Sequence, residues 1–261
     1  MNNQYTKIMM HYFDAHNICV EHLLDRIVVP LDGTTAVFAY MSTFESLGTK
    51  DSDIDIYVIS DHIPKKDFKR KYLECLGVSN LIVDGKEFDI EYWLGTNIED
   101  IISKCKNDCY VDKSLIKILL RLKFNCVVIE NSYTKKLLDM LEGIDINKYI
   151  EHFYITLTRS FYDDAIKLFK AKEYVSSLDC CRYALWNIVV AINAMNGNPN
   201  LKEKWVSKIF IMNEGYGDSE LLKKYYKFQG FDMTPYNETV DKYVENFLEF
   251  INECMMKVIM K

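Results

Sequence analysis

Asp53 and Asp55 are the residues of this sequence whose types and spacing most directly suggest chemistry. They stand at alternate positions just before the apolar run 56–59 (IYVI), which predicts a strand. Side chains two residues apart on a strand face the same side, so the two carboxylates would repel each other unless a proton or a cation neutralises them. Mg²⁺ prefers such oxygens and commonly binds one or two carboxylates together with substrate phosphates. The pair predicts a magnesium site, although a solvated acidic turn that includes Asp51 would carry the same residues.

Two other segments favour the metal site over the acidic turn. The β-branched and aromatic stretch 35–40 (TAVFAY) predicts a strand that ends just before Ser42, where a hydroxyl and backbone N–H groups could hold phosphate oxygens. The stretch 87–94 predicts another strand, and it carries Asp89 and Glu91, again two residues apart. A third acid beside a metal-bound pair is what a two-metal nucleotidyl-transfer site requires. The sequence leaves open whether Asp89 or Glu91 supplies it.

The segment 40–58 (YMSTFESLGTKDSDIDIYV) resembles the signature of the DNA polymerase β-type nucleotidyltransferase superfamily. In that signature one strand ends in Gly-Ser, a short loop follows, and Asp-hydrophobic-Asp opens the next strand. The resemblance implies that Asp53 and Asp55 are the metal-binding pair, that Ser42 is the phosphate-binding serine, and that the third family acid maps to the strand 87–94.

Three residues beside this motif extend the pattern or depart from it. Thr43 follows the family serine, and Ser52 precedes the acids as is common in the family, so we expect both to contact the nucleotide. Met41 stands where the family usually has glycine, and a methionine does not readily take a backbone conformation with φ > 0. The departure at Met41 leaves a catalytically inactive nucleotide-binding relative as an alternative.

The second half of the chain is similar to the C-terminal domain of the small-molecule adenylyltransferases in this superfamily, which include aminoglycoside-modifying enzymes. The similarity lies in the segment 181–210, where an arginine near the start of a helix is followed by a loop and by Lys-x-Lys-Trp. The resemblance implies that Arg182, with Lys202 or Lys204, binds the triphosphate, since a guanidinium and an ammonium both suit phosphate oxygens. Each of the three could instead be a solvated surface charge.

Acidic residues in the same half suggest where an acceptor would bind. Glu151, Asp163 and Asp164 fall on one predicted helix and could line an acidic pocket for a cationic molecule, or could be ordinary surface charge.

The elements expected around these residues divide the chain into two domains. Residues 1–133 predict an α+β nucleotidyltransferase domain, a mixed sheet with flanking helices, and residues 134–261 predict an all-α helical-bundle domain that binds substrate or nucleotide. Strands are expected at 35–40, 54–59, 81–83, 87–94 and 125–130, with a hairpin turn at Asp84-Gly85. Helices are expected at 5–28, 66–76, 97–105, 112–122, 134–142, 147–171, 173–196, 202–212, 218–227 and 237–260.

The composition bears on partners and compartment. The 261 residues carry a net charge of -6, which argues against a DNA-binding or anionic-membrane surface. The eight cysteines are scattered without a CxxC pair, as in proteins of a reducing compartment. The N-terminus lacks the apolar core of a signal peptide, and no apolar run approaches the ~18 residues of a membrane helix. We therefore expect a cytoplasmic protein that binds neither DNA nor membrane, and the oligomeric state stays open.

The function expected from these observations is Mg²⁺-dependent nucleotidyl transfer. The resemblance implies two Mg²⁺ ions and an NTP, most simply ATP, whose AMP is transferred to a hydroxyl of a small molecule with release of pyrophosphate. The acidic charge fits a cationic acceptor such as an aminoglycoside, which would make this an antibiotic-resistance enzyme. Besides the inactive relative, the alternative is nucleotidylation of a protein or tRNA, as in toxin–antitoxin systems of the same superfamily.

Overall fold

The computed structural model describes residues 4–49, 52–124, 126–215, 219–230 and 238–260. Asp51, the start of the strand expected at 125–130 and the helix breaks expected near 216–218 and 231–237 lie outside these residues. The chain forms two compact units, Met1–Asp145 and Ile146–Lys261. The division falls after Asp145 rather than after residue 133, because the helix Ser132–Glu142 packs against the sheet of the first unit.

The first unit is built on a mixed sheet of six strands. The strands are β1 (Thr35–Tyr40), β2 (Ile54–Ser60), β3 (Arg70–Tyr72), β4 (Cys75–Val83), β5 (Lys86–Leu94) and β6 (Cys126–Ile129). Their order across the sheet is β3-β4-β5-β2-β1-β6. The central pair, β2 with β5, is parallel, and the other neighbours are antiparallel. The predicted α+β architecture is therefore present in this unit.

One face of this sheet is apolar, because the hydrophobic side chains of β1, β2 and β5 alternate with the residues of the opposite face. The residues of this face are Val37, Ala39, Ile54, Ile56, Val58, Phe88, Ile90 and Tyr92 on the strands, with Met41 directly after β1. Helix α1 (Gln4–Ala15) buries Met9 and Phe13 against them. The packing fixes which way β2 faces, and the acids at its start therefore face the other side of the sheet.

Helices cover the acid-bearing face. They are α3 (Gly95–Lys106), α4 (Lys113–Lys123) and α5 (Ser132–Glu142). Helix α3 contacts β2 and β5, whereas α4 and α5 both contact β1. The long helix expected at 5–28 is two helices, α1 and α2 (Val20–Leu24), because the chain turns at Asn17, whose φ of 54° is left-handed.

The helix expected at 66–76 is wrong. Residues Arg70–Tyr72 and Cys75–Val83 instead form the antiparallel pair β3–β4, joined by a tight turn in which Leu73 has a φ of 40°. Pairing with the neighbouring strand overrides the helix-favouring lysines and arginine of this stretch. The hairpin expected at Asp84-Gly85 is confirmed, since both residues have the positive φ, 47° and 79°, that such a two-residue turn requires.

The elements described in the second unit are helices. They are α6 (Ile146–Lys170), α7 (Tyr174–Met195), α8 (Glu203–Asn213), α9 (Glu220–Gln229) and α10 (Val240–Ile259). Among the described residues α7 alone has the length and mean hydropathy, 1.2, of a membrane span, yet 56% of that stretch is buried inside the protein. It packs against α6, α8 and α10, as the core helix of a bundle does.

Candidate metal and nucleotide site

Three carboxylates lie together where β2 and β5 run side by side. Asp53, Asp55 and Asp89 each offer an oxygen within 4.8 Å of the others. Opposite ligands of a single Mg²⁺ are about 4 Å apart, twice the Mg–O distance of about 2.1 Å. All three donors are hard oxygens, the type that Mg²⁺ prefers over nitrogen or sulfur ligands. The donor set therefore fits a magnesium ion.

Strand register brings these acids together. Asp55 pairs with Asp89 across the parallel β2–β5 ladder, so both side chains face the same side. Asp53 directly precedes β2 and is exposed. Nearby charge and hydrogen bonding hold Asp89, because Asn80 on β4 donates to Oδ1 and the Arg70 guanidinium lies 3.6 Å from Oδ2.

Glu91 faces the same side as Asp89 but lies outside this cluster. It pairs with Tyr57 rather than with Asp55, and it is only 6% exposed. The Tyr72 hydroxyl donates a hydrogen bond to Glu91 Oε2, and Trp93 Nε1–H donates another at 3.2 Å. Burial raises the pKa of the Glu91 carboxyl, and the hydrogen bond from Tyr72 partly offsets this. Of the two acids left open by the sequence, Asp89 is the one that the structure gathers with Asp53 and Asp55.

The expected phosphate-binding residues surround Gly48. A Cβ built on Gly48 would lie 2.4 Å from Ser42 Oγ, 2.9 Å from the Thr43 nitrogen and 3.0 Å from Ser52 Oγ. Ser52 Oγ also accepts a hydrogen bond from Thr49 N–H at 2.9 Å, which closes the loop. The structure thus brings Ser42, Thr43 and Ser52 together around position 48. A side chain larger than that of glycine would clash with them there. The sequence motif contains Gly48, but its local pattern does not reveal this role.

Met41 does not distort the turn. Its φ of -131° and ψ of 139° are those of an extended residue, which any side chain can adopt. Left-handed backbone occurs instead at Ser46, with φ 59°, at the end of the short 3-10 helix Ser42–Glu45. The geometric reason for expecting an impaired turn at Met41 therefore does not apply.

Arg121 on α4 lies beneath the acid-bearing face, and sequence reasoning missed it. It is 3% exposed, and its guanidinium carbon lies 3.8 Å from the centroid of the Tyr40 ring. Tyr40 pairs with Asp55 on the adjacent strand, so the ring and the carboxylate share a face. The local pattern of α4 gives no signal for it, because this amphipathic helix carries four charged residues and only its packing shows that Arg121 is the buried one.

Of the basic candidates of the second unit, Arg182 and Lys204 are exposed and Lys202 is partly buried. Arg182 lies on α7 and forms an ion pair at 2.9 Å with Asp179, one turn earlier on the same helix. Lys202 is the residue before α8, and Lys204 Nζ lies 5.0 Å from the centroid of the Trp205 ring. Lys202 and Lys204 therefore stand together at the start of one helix, while Arg182 lies on another.

The acceptor candidates all lie on α6. Asp163 and Asp164 are exposed and Glu151 is partly buried. Asp164 pairs with Lys167 at 3.1 Å, so part of the acidic charge is balanced on the helix itself.

Comparison with known proteins supports the fold. No protein-family model matches the chain, and no curated protein sequence matches it significantly. Among solved structures, a nucleotidyltransferase-like protein from Exiguobacterium sibiricum 255-15 is similar over 88% of this chain and 71% of its own, with a TM-score of 0.52 and 12% sequence identity. At this identity the similarity shows a shared fold. The chain therefore has the fold of a nucleotidyltransferase-like protein, with three carboxylates gathered on the central strands of its sheet.

Proposed function

We propose that this protein is a Mg²⁺-dependent nucleotidyltransferase that moves AMP from ATP to a hydroxyl of a small molecule and releases pyrophosphate. One observation carries the proposal, the cluster of Asp53, Asp55 and Asp89 on the central strands of a nucleotidyltransferase-like fold. Three carboxylates this close repel one another, and a cation that they share would offset this repulsion.

The three acids would hold the metal, and two Mg²⁺ ions are expected as in other nucleotidyl-transfer sites. Bound Mg²⁺ supplies positive charge that orients a triphosphate and favours ionisation of the attacking hydroxyl. The acceptor oxygen forms a bond to the α-phosphorus, the bond to the pyrophosphate oxygen breaks, and the acceptor's proton passes to a carboxylate, which we assign to Asp89.

The loop around Gly48 would bind the phosphates. Ser42 Oγ and Ser52 Oγ are hydroxyl groups that can donate to phosphate oxygens, and the Thr43 backbone nitrogen lies beside Gly48 with them. These groups come from opposite ends of one loop, so they would fix the orientation of the triphosphate.

Residues of the second unit are proposed to act on the leaving pyrophosphate and on the acceptor. Arg182, Lys202 and Lys204 are proposed to offset the negative charge of the leaving pyrophosphate. Glu151, Asp163 and Asp164 are proposed to attract a cationic acceptor, of which an aminoglycoside is the example that the sequence resemblance suggests.

The test is release of pyrophosphate by the full chain with ATP, Mg²⁺ and a panel of aminoglycosides. Asp53→Asn, Asp55→Asn and Asp89→Asn should each reduce turnover at least about a hundredfold, since each removes a ligand of the charge-stabilising site. Glu91→Gln is the matched control, because it changes an acid of the same strand that lies outside the cluster. Pyrophosphate release by wild type that survives Asp53→Asn and Asp55→Asn would overturn the assignment.

A second arm separates the acceptor classes. If no aminoglycoside supports turnover, labelled ATP is incubated with the protein and a cell lysate, and a labelled protein or tRNA on a gel supports nucleotidylation of a macromolecule. Calorimetry with ATP and Mg²⁺ tests the inactive relative, which would bind ATP without turnover in either assay. Absence of ATP binding by the wild type would remove the nucleotide from the proposal altogether.

A further inference from the structure

Arg121 is a buried charge whose terminal nitrogens lack hydrogen-bond partners. The side chain is 3% exposed, and neither Nη1 nor Nη2 has a partner among the described residues. Leaving a buried guanidinium without hydrogen bonds is costly, and an apolar side chain of similar size is often as stable or more stable at such a position. Core packing alone therefore does not explain an arginine here.

Two buried tyrosines, Tyr40 and Tyr57, lie beside Arg121, and their burial raises the pKa of both hydroxyls, so they stay neutral. Its guanidinium lies against the Tyr40 ring, and the buried Tyr57 hydroxyl also lacks a hydrogen-bond partner in the described part of the chain. Burial opposes the charge on Arg121, but attraction to its neighbours, among which Asp55 and Glu45 carry negative charge, outweighs it, so its pKa stays above the usual value. The positive charge of Arg121 thus persists beneath the acid cluster.

The geometry of the sheet connects Arg121 to the metal ligands. Tyr40 pairs directly with Asp55, and Tyr57 follows Asp55 by two residues on β2, so the three side chains project from one face. Arg121 contacts the Tyr40 ring from α4, on that same face. The acid cluster therefore lies between the buried positive charge of Arg121 and the solvent, which reaches the exposed Asp53.

Lys117, one turn before Arg121 on α4, is a second positive charge that acts on an acid of the same sheet face. It is partly buried and attracts the charged form of Glu91, as Arg121 attracts that of Asp55. Residues four apart on a helix share a face, so α4 presents two positive charges to the acid-bearing face. The repetition argues that α4 supplies counter-charge to a row of acids.

We propose that Arg121 is a positioning residue that acts as the resident counter-charge of the acid cluster. It offsets the repulsion between Asp55 and its neighbours in the metal-free protein, and the same positive charge weakens the binding of a cation by the cluster. The inference rests on the proposed function, because it presupposes that Asp53, Asp55 and Asp89 bind a divalent cation. It predicts a cation affinity that rises, rather than falls, when Arg121 is neutralised.

The experiment measures the dissociation constant of Mn²⁺ by calorimetry at about pH 8, together with thermal unfolding in EDTA and in Mn²⁺. Arg121→Met removes the charge and keeps much of the volume, Arg121→Lys keeps the charge, and Lys123→Met removes a charge from the end of the same helix. In Arg121→Met, Mn²⁺ should bind about tenfold tighter, since a positive charge near the ion is lost. The unfolding temperature should fall in EDTA and recover in Mn²⁺ by more than that of the wild type. Arg121→Lys and Lys123→Met should bind Mn²⁺ like the wild type.

The outcomes separate this inference from the proposed function. If the wild type does not bind Mn²⁺, the metal site fails and the counter-charge with it. If the wild type binds Mn²⁺ and Arg121→Met binds it equally or more weakly, Arg121 is a packing residue and this inference alone is overturned. Should Arg121→Met not fold, the double variant Arg121→Met/Asp55→Asn decides. Recovery of folding when both charges are removed supports the pairing, and failure to recover refutes it.

Discussion

Replacing Gly48 by alanine tests whether the loop between β1 and β2 is the phosphate-binding part of the site. The added Cβ would lie 2.4 Å from Ser42 Oγ and 2.9 Å from the Thr43 nitrogen, whereas ordinary van der Waals contact begins at 3.4 Å. The Ser42 hydroxyl can rotate away, but the Thr43 nitrogen moves only with the backbone. The loop therefore has to open by about half an ångström.

The size of this displacement sets the expected loss of stability and of turnover in Gly48→Ala. Overpacking typically costs about 1–3 kcal/mol, and we expect about 1 kcal/mol here because the loop is partly exposed and can relax. Because catalysis depends on positions within ångströms, the same opening should lower turnover by about tenfold to a hundredfold. ATP should bind correspondingly more weakly in the presence of Mg²⁺.

The control is Gly33→Ala, because a Cβ at Gly33 would meet nothing within 4 Å. It should change the free energy of unfolding by no more than about 0.5 kcal/mol. Urea denaturation measures stability, and calorimetry with ATP and Mg²⁺ measures binding. The reasoning is refuted if Gly48→Ala matches Gly33→Ala in both. A loss of stability with unchanged ATP binding would make the loop a purely structural element.

Three further predictions concern charge and buried polar contacts. Asp53→Asn should raise the unfolding temperature in EDTA by about 2 °C, since it relieves repulsion in the cluster. With added Mg²⁺, calorimetric scanning should show the wild type unfolding at a higher temperature than the variant. Burial raises the pKa of Glu91 above its ordinary 4.5, so the stability it contributes is complete below pH 4.5 and is lost as the pH rises through the raised value. Glu91→Gln should therefore reduce the difference in unfolding free energy between about pH 5 and about pH 8, and an unchanged difference would contradict this. Asn193, fully buried, donates to the Val206 carbonyl at 3.0 Å, so Asn193→Ala should cost about 2 kcal/mol by urea denaturation.

The sequence predicts best where neighbouring residues decide the structure. The strands at 35–40 and 54–59 are confirmed almost to the residue, because alternation and β-branched residues act locally. Asp84-Gly85 is confirmed as a hairpin because both residues tolerate the positive φ of a two-residue turn. The acidic pair Asp53 and Asp55 likewise depends only on the period of a strand.

Prediction fails where distant parts of the chain decide. The stretch 66–76 has helix-favouring charges, yet β3 and β4 pair within it and extend a sheet whose other strands lie elsewhere in the sequence. Packing between β4 and the segment before β3 adds a further requirement, because a Cβ on Gly77 would lie 2.0 Å from the Phe68 ring. Arg121 was missed for the same reason, because its meaning depends on Tyr40 and Asp55, which belong to other elements.

The choice between Asp89 and Glu91 shows why the site could not be completed from the sequence. Both acids face the same side of β5, and a shift of two residues in the pairing with β2 would exchange them without turning any apolar side chain out of the core. The hydrophobic pattern therefore does not select the register. The hydrogen bonds from Tyr72 and Trp93 to Glu91 do not select it either, because Trp93 belongs to β5 and Tyr72 to the side of the sheet that pairs with β5 through β4. Asp89 lies opposite Asp55 because of the way β2 and β5 pair in the folded sheet, and that register is a property of two distant segments rather than of either one alone.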